Sequence, residues 1–144
     1  MGKPQRASHP PAVATVEPAW VDVPYDPGNF LAKAPLEWQV AEAHVQTYAY
    51  VVHGKTMTLA FKIIFSILGG APANELYLRI PGNYLPNRGA ANPIWLATQM
   101  GRESGYATVH PGLDRVVLFR GTEERFPIEP NGLFIFGQLT FEVQ

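Results

Sequence analysis

The sequence predicts an antiparallel all-β protein, and three observations carry that prediction. In Lys55–Ile67 (KTMTLAFKIIFSI), Met57, Leu59, Phe61, Ile63, Phe65 and Ile67 stand at every second position. Thr56, Thr58, Lys62 and Ser66 fill most places between them, which is the period of a strand with one dry and one mostly wet face. The C-terminal stretch repeats the pattern, with Leu133, Ile135, Leu139, Phe141 and Val143 alternating with Phe134, Phe136, Gln138, Thr140 and Glu142. Around these runs Gly, Pro and Asn recur at short spacing, and no stretch has the period of an amphipathic helix.

The elements follow in order. Half of the 14 prolines lie in the first 35 residues, where a missing amide donor and a fixed φ rule out both helix and central strand. Trp20, Val21, Val23, Tyr25, Phe30 and Leu31 punctuate that segment, so residues 1–35 read as an extended Pro-rich N-terminal arm with aromatic anchors. Residues 1–17 are expected to be disordered in isolation. Residues 18–35 are expected to pack along this domain's own sheet edge or along a neighbouring subunit.

From Leu36 to Gln144 the strands begin. Glu37–Val40 is short and alternating, and Thr47–Val52 places Tyr48, Tyr50 and Val52 on one face. His53-Gly54-Lys55 reads as a tight hairpin turn into the long strand. That strand, at about 3.3 Å per residue, would reach roughly 40 Å. Its adjacent Ile63-Ile64 breaks the alternation and marks a bend or bulge.

Leu76–Ile80 forms the next strand, and Asn83–Pro93 has the composition of a long loop. Ile94–Met100 and Tyr106–His110 read as strands separated by a flexible Gly101–Gly105 loop. Pro111-Gly112 is a type II turn signal before a strand at Leu113–Arg120, and Gly121–Gly132 reads as a loop. About eight strands with regular turns predict a two-sheet antiparallel β-sandwich of jelly-roll type.

Composition bounds the function. The chain has 144 residues, enough for one domain with a real core, and its net charge is −1 with scattered Lys and Arg. Nothing in it suggests a surface that tracks phosphates, so no nucleic-acid partner is expected. There is no cysteine, which excludes disulfides, thiolate nucleophiles and Cys-ligated zinc. The N-terminal MGKPQRASHPP lacks the apolar core of a signal peptide, and Ile63–Leu68 is far too short to span a membrane.

Chemistry is sparse. His9, His44, His53 and His110 have no zinc-binding spacing. Gly101-Arg102-Glu103-Ser104-Gly105 is not a nucleophile elbow. Glu103, Glu123, Glu124 and Glu129 fall in expected loops with nothing to single out an acid pair. Asp22 and Asp26 are a weak hint of calcium. The expectation is therefore a non-enzyme with no cofactor and no metal. Aromatics are the remaining candidates. Tyr84, Trp95 and Tyr106 could stack on sugar rings, whereas Trp38 suits a core position.

The terminal Leu133–Val143 strand is similar to the last strand of tumour-necrosis-factor-like and complement-head-like jelly rolls. More of the chain, about Trp20 to Val143, resembles small jelly-roll proteins and fibre domains of tailed phages. The resembling pieces are Trp20–Tyr25, Asn29-Phe30, Trp38–Val40, the Tyr48–Tyr50 strand, Gly54–Thr58, Leu78–Pro81 and Gly137–Val143. The resemblance implies a virion surface protein, a trimeric capsid decoration protein or the knob of a fibre. It also implies itself and the major capsid protein, or another virion protein, as partners, with a host-surface glycan in the fibre-tip alternative. No catalytic residues come with it. The absence of a repetitive shaft favours decoration over fibre tip. Trp20, Tyr25 and Phe30 of the arm, with Phe134, Phe136 and Phe141 of the last strand, are then the expected assembly residues, because Leu133–Phe136 is apolar on both faces.

Overall fold

A computed structural model describes residues 18–98 and 101–144. The expectation for residues 1–17 lies outside these, as do the last two residues of the expected Ile94–Met100 strand. The described residues form ten strands: β1 (Val21–Asp22), β2 (Phe30–Ala32), β3 (Leu36–Gln39), β4 (Val45–His53), β5 (Thr56–Gly70), β6 (Leu76–Arg79), β7 (Ala90–Thr98), β8 (Gly101–Val109), β9 (Arg115–Arg120) and β10 (Glu129–Glu142). All pairings are antiparallel, in the order β1-β4-β5-β10-β7-β8-β9-β6-β2, with β3 also on β5. The protein is all-β. Among the described residues no helix is long and apolar enough to cross a membrane.

The organising strand is β5. On one edge β10 runs along it from Thr56 to Leu68. On the other, β4 takes the first part up to Ile63 and β3 takes Ile67–Gly70. Within β5, Ile64 and Phe65 together oppose Phe134, between the pairs Ile63↔Ile135 and Ser66↔Leu133. Phe65 has φ 56°, and the extra residue bends the strand and deepens its twist. This is the break that the Ile63-Ile64 doublet announced.

The bulge also corrects the expected faces. Inserting one residue turns every later side chain over. Ser66 and Leu68 therefore point into the core, while Phe65 stands 55% exposed and Ile67 only half-buried. The expected dry-face Phe65 and wet-face Ser66 have exchanged places. A buried hydroxyl needs partners, and Ser66 has two. The Trp38 indole N–H donates to its Oγ at 3.0 Å, and the Oγ donates to the Leu133 carbonyl at 2.9 Å.

Hydrogen bonding draws one curled sheet rather than two separate ones. Side chains from β2 to β10 meet in a single core that includes Trp38, Tyr48, Phe61, Leu78, Leu96, Leu118, Leu139 and Phe141, which a flat sheet could not achieve. β10 inserts between β5 and β7, and β6 returns to pair with β9, so β6–β9 form a Greek key. The Tyr48 hydroxyl donates to the Arg79 carbonyl, tying β4 to β6 across the interior. Burial pushes that phenol well above its ordinary pKa, against a smaller opposing pull from Arg79.

Residues 18–35 lie on the chain's own sheet. β1 adds to β4, β2 adds to β6, and the Val23 amide donates to Tyr48 O at 2.9 Å. β1 and β2 are the two ends of the strand order, yet from Asp22 to Phe30 the chain can span at most about 29 Å. The segment therefore holds the two edges of the curled sheet near each other. Of the two expected destinations it occupies the intramolecular one.

Three expected loops are shorter than their composition suggested. Gly101–Gly105 is the first half of β8, paired residue for residue with Ile94–Thr98. Ala90–Pro93 belongs to β7, opposite Tyr106–Val109, and β10 starts at Glu129. Cross-strand pairing overrides the local Gly and Pro signals in each case. The turns at Gly54 and Gly112 stand as expected, with φ 65° and 76° that only glycine adopts freely.

Candidate functional site

The outward face of β5, β10, β7 and β8 carries the aromatic residues that the core does not use. On β10, Leu133 and Ile135 point inward, so Phe134 and Phe136 point out. Residues directly opposite in an antiparallel pair share a face, and Phe136 is opposite Trp95. Phe136 is 44% exposed and Trp95 52%. The Phe65 ring, turned outward by the bulge, meets Phe134 edge-on at 4.6 Å.

The face continues across the sheet. Pro93, two residues from Trp95, is opposite Tyr106, and Tyr106 is opposite and stacked on Phe119 at 5.0 Å. A row of Phe65, Phe134, Phe136, Trp95, Tyr106 and Phe119 thus crosses five strands. Its polar neighbours are Lys62, opposite Phe136 on β5, and Ser104, opposite Trp95 on β8. Desolvation, then the adjacent Glu123, raise the Tyr106 phenol above its ordinary pKa. Gly137 is required beneath this row, because a Cβ there would lie 2.4 Å from Ile94 Cγ2. These rings cluster on one face rather than standing singly over the surface.

The structure brings Phe134, Phe136, Trp95 and Tyr106 together, although their sequence roles were assigned separately. It does not bring in the others. Phe30 and Phe141 are 2% and 3% exposed inside the chain's own core and present no surface. Tyr25 stacks on Phe30 and donates to Val40 O at 2.6 Å. Trp20 is exposed just before β1. Tyr84 packs edge-on against Tyr50, at 6.2 Å, on the core side of β4. Phe65 and Phe119 were missed by sequence. The Ile63-Ile64 doublet held the signal for Phe65, since a bulge there must expose one of the residues that follow.

Glu103, Glu124 and Asp26 have structural partners. Glu103 receives Arg120 bidentately, Nε to Oε2 at 2.9 Å and Nη2 to Oε1 at 3.0 Å. Glu124 lies 3.9 Å from the same guanidinium, and Glu103 holds the Arg120 proton more tightly than usual. Asp26 Oδ1 accepts from the Gly28 amide at 2.8 Å as a cap, and Ala41 N–H donates to His44 Nδ1 at 3.0 Å. Among the described residues no three His, Asp or Glu side chains gather as a metal set.

Fold and face together define the class: an all-β protein with a curled antiparallel sheet and an aromatic outer surface. No protein-family model, no curated protein and no solved structure matches the chain.

Proposed function

We propose that this chain is a non-enzymatic structural protein of a virion surface, a homotrimeric capsid decoration or fibre-type protein. One observation carries the reading. The last strand, whose sequence is similar to the axis-lining strand of trimeric jelly rolls, exposes Phe136 beside Trp95 and turns a half-buried Phe134 outward against Phe65 on one face. In this reading the fold is a jelly roll whose two layers are the opposed halves of the curled sheet. The aromatic row packs against the same strand of neighbouring copies, where a stable contact covers about 800 Å² per partner. Attachment to the major capsid protein or another virion protein runs through the N-terminal arm, where Trp20 and Val21 stand exposed.

Sedimentation equilibrium of the full chain at micromolar concentration tests the assembly. The expected result is a trimer that becomes a monomer in the Trp95→Ser/Phe136→Ser variant with its melting temperature unchanged. A wild-type monomer overturns the reading.

A second reading, a glycan- or receptor-binding fibre tip, is favoured by a shallow depression lined by Asn92, Pro93, Ser104 and Tyr106. There an aromatic platform adjoins hydrogen-bonding side chains, as a sugar ring requires. Glycan-array binding that is lost in Tyr106→Ala supports this reading; a decoration protein binds nothing on the array.

A further inference from the structure

Glu129 opens β10 and is 6% exposed, yet among the described residues no cation reaches its carboxylate. Its partner is the Asn131 amide, which donates to Oε2 at 3.1 Å. A carboxylate accepts about four hydrogen bonds, so most of its capacity is unused. Burying such a group is unfavourable unless an opposite charge or donors compensate it.

Glu129 also lines a partly enclosed cavity of ≈ 270 Å³, together with Glu103 and an apolar wall of Leu68, Leu96, Phe126 and Leu133. Arg120 also borders this space, but its guanidinium is occupied by Glu103 and by the Arg125 carbonyl, at 2.7 Å. The Arg120 charge is thus matched by Glu103 while Glu129 has no cation of its own, so an anionic guest would meet the cavity's polar end unfavourably. Of the two acids that line it, Glu103 is held bidentately by Arg120, and Glu129 over an aliphatic and aromatic wall is a poor set for a hard metal ion, which needs several oxygens. An apolar cavity of ~150 Å³ already admits benzene, so this one has room for a ring system with a short side chain.

We propose that this cavity binds a small organic amine, with its apolar body between Leu96, Phe126 and Leu133 and its ammonium on the free oxygen of Glu129. The cavity lies inside the curled sheet, away from the aromatic outer row. Its occupancy does not depend on whether copies of the chain associate.

The test titrates the full chain with tryptamine, and with indole-3-propionate as an anionic counterpart, by calorimetry and methyl NMR. Tryptamine is expected to bind and to shift the methyls of Leu68, Leu96 and Leu133, and indole-3-propionate is expected to bind at least about tenfold more weakly. Glu129→Gln keeps an acceptor for the Asn131 amide and removes the charge, so it should fold and bind tryptamine about tenfold more weakly. If that variant does not fold, the comparison of the two ligands on the wild-type chain decides. The proposal is overturned by tryptamine that shifts none of these methyls, by an unchanged affinity in Glu129→Gln, or by indole-3-propionate binding as tightly as tryptamine.

Discussion

The two halves of the β5–β10 ladder use the same pair of strands for different ends. From Thr56 to Phe61 the register is unbroken against Gly137–Glu142. Met57, Leu59, Phe61, Leu139 and Phe141 fill the core there, and outside Thr58 and Thr140 join their hydroxyls at 3.0 Å. From Ile64 to Leu68 the register shifts twice against Glu129–Phe134. In that half the core receives Ser66 and Glu129, while Phe65 and Phe134 face outward. The regular half satisfies itself on both faces. The bulged half puts polar groups inside and aromatic rings outside, an inversion that costs stability and leaves aromatic surface uncovered by the chain's own core.

Substitutions on either side can break or sharpen this contrast. The largest effect belongs to the regular core, where Phe61→Ala should lower stability by about 3–5 kcal/mol in urea unfolding. A loss below about 1 kcal/mol would mean the regular half is not the stabilising one. Next comes Ser66→Ala. It leaves the Trp38 indole N–H and the Leu133 carbonyl without their buried partner, and should cost about 1–3 kcal/mol. The change should also appear in Trp38 fluorescence, and unaltered unfolding together with unaltered emission would show that the hydroxyl does not pin the bulge. The smallest effects on stability, within about 0.5 kcal/mol, are expected for Thr58→Val and Phe136→Ser on the two outer faces. Sedimentation separates them: Phe136→Ser should weaken self-association, and Thr58→Val should leave it intact.

The same contrast explains what could be read in advance. Tyr48, the Met57–Ile63 face and the Leu133–Val143 face were all legible, because strand alternation is a local property of the backbone that a short window displays. Gly101–Gly105 was not, because its strand state comes from pairing with β7 rather than from its own residues. Glu129 reads as a solvated loop acid for the same reason; it is buried because β10 begins there, opposite Leu68.

By itself, then, the sequence determined an antiparallel all-β chain, its principal inward-facing residues and the place where β5 had to break. The tertiary structure decided the rest. It decided that residues 18–35 hold the edges of their own sheet, that Phe65 turns out while Ser66 turns in, and that Trp95 comes to lie beside Phe136. These outcomes depend on which strands become neighbours and on a one-residue offset between them. The neighbours and the exact position of the offset are set by packing around a single core, which the local break at Ile63-Ile64 does not by itself encode.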